Sequence, residues 1–195
     1  MSLEALSYRG TETLDKIQGT ERGILLGSSI SMDFKNTRVA IGHLGNVISQ
    51  GKVTVSSLID ADSNTWQTSK IITEPSASNG SYFGHDVSMN WTGTRIAVGA
   101  YGVDKVYVFD ATSTSSNPWA TYVSNTISGY TNSNFGYSVS LGQDIDTTLA
   151  IGAPNHNRVD VWKLSSSSWS LAYSNIGDDI PNVIPLNSTS GTVTI

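Results

Sequence analysis

Apolar residues occur along the chain in short runs that alternate with Ser and Thr, as in Ser29-Ile30-Ser31 and Val53-Thr54-Val55. A two-residue period of this kind predicts β-strands, and the Gly, Asn and Asp residues between the runs predict tight turns. Runs of Leu, Glu, Lys and Ala at helical spacing are missing, so long helices are not expected. The pattern therefore predicts an all-β fold.

The short runs recur three times in the same order, with a period of roughly 50 residues, which is in the range of propeller repeats. We name the four predicted strands of each unit A to D in chain order. Strand A is centred on an apolar residue, strand B ends at a glycine, strand C begins at a valine and strand D begins at a tryptophan. In the order of the three units, the apolar residues are Ile30, Val87 and Val139, and the glycines are Gly42, Gly99 and Gly152. The valines are Val53, Val106 and Val159, and the tryptophans are Trp66, Trp119 and Trp169.

Strand C of the second unit, Val106-Tyr107-Val108-Phe109, is apolar on both faces. A sheet needs this when it packs between two neighbouring sheets, and four-stranded antiparallel sheets stacked radially form a β-propeller. We therefore predict one repeat domain of about three propeller blades. Its limits are 1–195, with blade-like units at about 24–76, 80–130 and 133–176 and partial blade strands at 9–19 and 184–195.

The two partial strands correspond to a strand D and a strand A, which are the outermost and innermost strands of a blade and cannot pair with each other. The terminal blades are then expected to carry open edges, which must be covered. Either the chain is a fragment of a longer array, or copies of it assemble into a homo-oligomer that closes a ring.

The third unit contains Phe135-Gly136-Tyr137-Ser138-Val139-Ser140 followed by Leu149-Ala150-Ile151-Gly152-Ala153-Pro154, which resembles the FG-GAP repeat. That repeat builds the seven-bladed propeller of integrin α chains and of many surface proteins, so the resemblance implies an extracellular or surface location. The family often carries a calcium loop between strands A and B. None of the three units keeps that loop, so we expect no cofactor.

The net charge is −5, from 11 basic and 16 acidic residues without a basic cluster, which disfavours nucleic-acid binding. No apolar run reaches the ~20 residues of a membrane span. The chain has no cysteine, which excludes disulfides and thiolate chemistry.

The candidate binding residues are Tyr101, Asp104, Tyr130, His156 and Arg158. They lie in B–C loops and D–A connections, which emerge on one face of a propeller and differ between the units. Loops carry specificity while strands maintain the sheet, and Tyr and Arg often anchor interfaces. The expected ligand is a protein or a glycan. His43, His85 and His156 are expected to be solvated loop residues, and the three repeated Trp residues to have a packing role.

No Ser-His-Asp or paired-carboxylate arrangement is visible in the sequence, although loops distant in sequence could still build a catalytic site. The leading expectation is a non-enzymatic binding or structural module, such as a fragment of a larger surface or adhesion-like protein. A carbohydrate-binding propeller is one alternative. A hydrolase or lyase on a propeller scaffold is another, and it would need a polar cluster near the ring axis.

Asp60, Asp62 and Asn64 have the 1-3-5 spacing of a calcium loop. The loop lacks the glycine at its sixth position, which is Thr65, and the bidentate glutamate at its twelfth, which is Ile71. Asp and Asn are also common in turns because their side chains hydrogen-bond to nearby backbone.

We therefore predict that a chelator leaves the melting temperature unchanged, because no loop supplies a full ligand set. A thermal melt with and without millimolar calcium measures this. A rise of several degrees on adding calcium would contradict the prediction, since a ligand that binds only the native state stabilises it.

Overall fold

The computed structural model describes residues 25–45, 50–62, 64–76, 78–142 and 148–174. Strands and three short 3₁₀ turns make up its regular structure. The turns are Tyr101–Val103, Pro118–Ala120 and Pro154–His156. The strands are β1 (Leu25–Met32), β2 (Arg38–Leu44), β3 (Lys52–Asp60), β4 (Thr65–Thr73), β5 (Val87–Met89), β6 (Arg95–Ala100), β7 (Lys105–Ala111), β8 (Tyr122–Ser128), β9 (Ser138–Leu141), β10 (Thr148–Ala153), β11 (Arg158–Ser165) and β12 (Ser168–Tyr173).

The strands form three four-stranded antiparallel sheets, each of which follows chain order from its first strand to its fourth. We call them blade 1 (β1–β4), blade 2 (β5–β8) and blade 3 (β9–β12). The first strands lie side by side, since β1 contacts β5 and β5 contacts β9. The first strand of each blade is therefore the innermost one. The prediction of an all-β fold built from propeller-type blades is confirmed.

The hydrophobic core lies between the blades. One cluster joins Val53, Val55 and Ile72 of blade 1 to Phe83 and Tyr107 of blade 2. A second cluster joins the other face of blade 2 to blade 3, through Val106, Val108, Phe135, Leu149 and Ile151 among others. Val106, Tyr107, Val108 and Phe109 are all fully buried. The predicted burial of both faces of this strand is therefore confirmed.

Two glycines set how closely the blades approach. A Cβ atom on Gly42 would overlap the carbonyl oxygen of Gly84 in the next blade, and one on Gly99 would overlap the carbonyl oxygen of Gly136. Gly84 and Gly136 themselves have positive φ, at 84° and 89°, a conformation that glycine adopts without a steric penalty. Both inter-blade junctions therefore use the same backbone contact.

The repeated Trp residues have less uniform roles than the sequence predicts. Trp66 and Trp169 are each the second residue of a fourth strand and are half-buried. Trp119 instead lies in the 3₁₀ turn before β8, where it is fully buried and donates its indole N–H to the carbonyl of Gly93 at 2.9 Å. The predicted start of the fourth strand at Trp119 is therefore wrong. The long β7–β8 loop places this side chain in the core between blades 1 and 2, and the strand begins after it.

The second-to-third-strand loops of blades 2 and 3 share one backbone conformation. In each, a 3₁₀ turn ends at a residue with positive φ, Asp104 at 52° and Asn157 at 46°. Asp and Asn tolerate this left-handed region better than most residues. The two loops therefore differ in their side chains rather than in their path. The predicted partial blade strands at 9–19 and 184–195 lie outside the described residues.

Among the described residues, none of the helical segments is long and apolar enough to cross a membrane.

We expect Val108→Asp to abolish cooperative folding, because Val108 is fully buried at the centre of blade 2. Burying an unpaired carboxylate costs several kcal/mol, against ~5–15 kcal/mol for the stability of a whole domain. Val123→Asp is the matched control, since Val123 is exposed on the outer strand of the same blade. Urea unfolding followed by circular dichroism measures both variants, and a cooperative Val108→Asp transition would contradict the packing described here.

Candidate functional site

Four rings meet where the loops of blades 2 and 3 come together. Tyr82 and His85 lie in the β4–β5 connection, Tyr101 in the β6–β7 loop and Tyr137 in the β8–β9 connection. We call these four residues the aromatic cluster. The Tyr82 and Tyr101 rings are stacked, with centroids 4.8 Å apart, and His85 stands edge-on to Tyr101 at 4.8 Å. The Tyr137 centroid is 4.5 Å from that of His85 and 5.2 Å from that of Tyr101.

A backbone contact between the β4–β5 connection and the β6–β7 loop holds the Tyr82–Tyr101 stack in place. Gly102 donates its N–H to the carbonyl of Ser81 at 3.0 Å. A Cβ atom on Gly102 would overlap the carbonyl oxygen of Gly80, so only glycine allows the loops to approach this closely. Tyr82 has a positive φ of 55°, which turns the chain immediately before Phe83.

His85 is held across the junction between blades 2 and 3. Its Nδ1 atom lies 3.0 Å from the backbone carbonyl oxygen of Tyr137. A carbonyl oxygen can only accept a hydrogen bond, so Nδ1 carries the proton. In the neutral imidazole, Nε2 is then the nitrogen with the lone pair. The contact therefore fixes both the tautomer and the orientation of the ring.

Burial raises the pKa of the Tyr101 phenol above its ordinary value, and the Tyr82 and Tyr137 hydroxyls raise it further. Tyr101 is therefore protonated across the neutral range and can donate a hydrogen bond. The cluster thus combines a proton donor with a nitrogen lone pair, which are the two functions that acid–base chemistry needs.

Asp104, one of the predicted binding residues, fastens the β8–β9 connection of blade 3 to blade 2. Its Oδ2 atom accepts the backbone N–H of Asn132 at 2.8 Å. Its Oδ1 atom accepts the N–H groups of Ser133 and Phe135, both at 3.1 Å, and the Ser133 hydroxyl at 3.1 Å. These bonds place the Asp104 carboxylate in a structural role beside the aromatic cluster.

The other predicted binding residues form a group in and beside blade 3. The Arg158 guanidinium lies 4.0 Å from the Tyr130 ring centroid and hydrogen-bonds to the Tyr130 hydroxyl. Its Nε atom donates to Asp160 Oδ1 at 2.7 Å. The His156 ring is 6.2 Å from that of Tyr130. The structure therefore brings Tyr130, His156 and Arg158 together, whereas Tyr101 and Asp104 lie in a blade 2 loop.

His43 is not the solvated loop histidine that the sequence predicts. It belongs to β2, is buried, and places its Nε2 atom 2.7 Å from the Thr54 hydroxyl. His156 is exposed, as predicted. His85 and Tyr137 were not among the predicted site residues. They directly follow Gly84 and Gly136, so comparison of this one repeat position could have found them.

The calcium candidates Asp60 and Asn64 make hydrogen bonds within the β3–β4 turn. Asp60 Oδ1 accepts the backbone N–H of Asp62 at 2.9 Å, and Asn64 Oδ1 accepts the Trp66 indole N–H at 3.2 Å. Within the described ranges, no three His, Asp or Glu side chains converge in a way that could hold a metal ion.

A cleft of about 260 Å³ lies between the outer strands of blades 2 and 3, lined in part by Arg95, Asp110 and Leu164. The Arg95 and Asp110 side chains form an ion pair with each other, and the Arg95 guanidinium also lies 5.8 Å from the Trp169 ring. The charged groups of this cleft are thus engaged in contacts within the fold.

No protein-family model and no curated protein matches the sequence. Among solved structures, the chain is similar to the periplasmic gluconolactonase of Pseudomonas aeruginosa, with a TM-score of 0.53 and 12% identity over 83% of this chain and 43% of that one. It is also similar to a Bacteroides fragilis protein assigned as a 6-phosphogluconolactonase, with a TM-score of 0.51 and 9% identity over 79% of this chain and 58% of that one. For Kluyveromyces lactis Hsv2 the TM-score is 0.50 and the identity 16%, over 75% of this chain and 46% of that one.

These similarities establish a β-propeller-type fold, and the chain spans about half the length of the structures it matches. They also correct the leading functional expectation. A non-enzymatic binding or structural module was predicted because no catalytic motif is visible in the sequence. The finding that overturns this expectation is that two of the similar structures are lactonases by name. The sequence pattern missed the aromatic cluster because the cluster combines residues from connections of two blades.

We expect Asp104→Asn to lower the free energy of unfolding by about 1–3 kcal/mol, because buried backbone N–H groups lose a charged acceptor. Asn keeps the left-handed backbone conformation, as Asn157 does at the equivalent position. Urea denaturation measures the change. Asp62→Asn is the matched control in an exposed turn, and an equal loss in both variants would contradict the fastening role of Asp104.

Proposed function

We propose that this chain contributes to a hydrolase-type β-propeller that opens cyclic esters of small polar acids at the aromatic cluster. The observation that carries the proposal is His85, whose Nδ1–H donates to the Tyr137 carbonyl at 3.0 Å and whose Nε2 therefore holds the lone pair. The similarity in fold to a gluconolactonase supports the substrate class.

In the proposed reaction, His85 Nε2 takes a proton from a water molecule while the water oxygen attacks the acyl carbon of the lactone. The carbonyl π electrons move to oxygen, and the Tyr101 hydroxyl donates a hydrogen bond to that oxyanion. When the tetrahedral intermediate collapses, the ring C–O bond breaks and the imidazolium returns the proton to the alkoxide. The product is the open hydroxy acid, and His85 ends neutral.

The tyrosines suit a small polyhydroxylated ring. The stacked Tyr82 and Tyr101 rings, with an interplanar angle of 3°, provide flat apolar surface next to hydroxyl groups. An aromatic body with a polar tip can contact the C–H face of such a ring and bond to its hydroxyls. We propose that the binding surface extends from Tyr101 and Asp104 to Tyr130, His156 and Arg158, and that it takes a ligand of this chemistry.

We also propose that the repeats are of FG-GAP type. Both units that carry Phe-Gly bury the phenylalanine completely, as Phe83 and Phe135, and give the glycine a positive φ. The motif therefore has one physical role in the two blades, which supports a shared repeat family.

Hydrolysis of glucono-δ-lactone above its spontaneous rate, followed by proton release, tests the proposed reaction on the full chain. We expect His85→Gln to lower the catalysed rate by at least about 100-fold, the usual contribution of a general base, without changing the melting temperature. Tyr101→Phe should lower the maximal rate more than it weakens substrate binding, because the phenol acts on the transition state.

Tyr173→Phe is the matched control, since Tyr173 is an exposed tyrosine on the outer strand β12, outside both the aromatic cluster and the proposed binding surface. It should leave the rate unchanged. A wild-type rate equal to the spontaneous one would overturn the proposal, and so would a His85→Gln variant as active as the wild type.

A further inference from the structure

Blade 1 exposes apolar residues at positions that the other two blades bury. These positions lie on the innermost strand, on the face that turns toward the preceding blade. In blades 2 and 3 a preceding blade covers this face, whereas blade 1 has none among the described residues. The relative exposures are 68% for Ile30 against 4% for Val87 and 8% for Val139, and 45% for Met32 against 0% for Met89 and 2% for Leu141. We call this surface of blade 1 the leading face.

Blade 3 shows the opposite asymmetry on the face that turns toward a following blade, which we call the trailing face. Val53 and Val106 are fully buried in blades 1 and 2, whereas the equivalent Val159 is 37% exposed. Val161 is half-buried, although the equivalent Val55 and Val108 are fully covered. Both terminal faces thus keep their apolar residues where no blade of the described ranges covers them.

The innermost strands are joined by a repeated hydrogen bond from the backbone to a serine. Met89 donates its N–H to Ser31 Oγ at 2.9 Å, and Leu141 donates its N–H to Ser88 Oγ at 3.0 Å. The equivalent serine of blade 3 is Ser140, which is exposed on the edge strand β9. Ser140 therefore presents the same acceptor to a strand that would follow it.

A second bond of this kind repeats two residues earlier. Val87 donates its N–H to Ser29 Oγ at 3.1 Å, and Val139 donates its N–H to Asp86 Oδ2 at 2.7 Å. The equivalent residue of blade 3 is Ser138, which is also exposed. At the other end of the array, Ile30 and Met32 of β1 occupy the positions of the donors.

The glycine contact repeats as well. Gly42 and Gly99 each lie against a carbonyl of the next blade, but the three nearest atoms to a Cβ on Gly152 all belong to Ser138 of its own blade. Gly27, with φ of 81°, has the conformation of Gly84 and Gly136, and a Cβ there would meet nothing within 4 Å. Blade 3 thus has the strand glycine of this contact, Gly152, and blade 1 has the left-handed glycine whose equivalents supply the carbonyl, Gly27.

We propose that the trailing face of one copy of this chain docks on the leading face of a second copy, and that the reciprocal contact closes a ring of two copies. A second copy is the occupant because each face carries the partners that the other needs. Both faces expose apolar side chains; the trailing face adds the Ser138 and Ser140 acceptors, and the leading face adds the β1 residues at the donor positions and the unobstructed left-handed Gly27. A head-to-tail contact that repeats around a symmetry axis forms a closed ring. This inference does not depend on the proposed hydrolase activity.

The mass of the full chain in solution, from light scattering during gel filtration, tests this assembly. We expect twice the 20.8 kDa of one chain. Ile30→Arg blocks every leading face and Ser140→Arg every trailing face, so each variant alone should be monomeric and retain its circular dichroism spectrum, because both residues are exposed. Ile59→Arg, at another exposed isoleucine beside the β3–β4 turn, should remain a dimer.

Mixing the two monomeric variants provides a complementation test. The Ile30→Arg copy keeps an intact trailing face and the Ser140→Arg copy an intact leading face, so the mixture should form a dimer with one interface. A monomeric wild type would overturn the proposal and would indicate that other segments cover the faces. Dimers that persist in both single variants would place the interface elsewhere and overturn it equally.

Discussion

Close packing of one sheet face on the next is the constraint on which this structure depends. The blades share no hydrogen-bonded ladder, so they are held by apolar side chains between the sheets and by individual hydrogen bonds. These bonds lie both near the innermost strands, as from Met89 N–H to Ser31 Oγ, and farther out, as from Asn117 Nδ2 to the Ser69 carbonyl. Gly42 and Gly99 allow the carbonyls of Gly84 and Gly136 to approach at the junctions. Any larger residue there would push the sheets apart and open the core, and interiors tolerate little change in volume.

The same packing explains the composition. A blade between two others must be apolar on both faces, and blade 2 buries Val106 and Val108 on one side and Tyr107 and Phe109 on the other. Most charged residues of the described ranges lie at strand ends or in loops, and some of them form ion pairs. Arg158 with Asp160 is one such pair, and its aspartate is fully buried. A low content of charged residues follows from an architecture in which each sheet contributes to two interfaces.

The sequence predicts the strands well because their signal is local and repeated. The Val-x-Val pattern at Val106 predicts a strand, because the spacing of apolar residues is visible within one short segment of the chain. The start of the fourth strand was misplaced at Trp119, because this residue belongs to a long loop that packs it into the core, and no local pattern reveals that. His43 was misread for a related reason, since its partner, Thr54, lies on the neighbouring strand β3, 11 residues away in the chain. His85 was overlooked because its partner, Tyr137, belongs to another blade.

The aromatic cluster arises from one position that varies on a constant backbone. The residue after the left-handed glycine is Ser28 in blade 1, His85 in blade 2 and Tyr137 in blade 3. Ser28 uses its hydroxyl to bond the carbonyl of Gly84 at 3.1 Å, so at the first junction this position serves only the packing. At the second junction it carries an imidazole and a phenol, and the rings meet because the glycine contact has already set the spacing between the blades. The functional groups at a junction change by substitution at a position whose geometry the packing has fixed. Two junctions of the same construction therefore present different side chains.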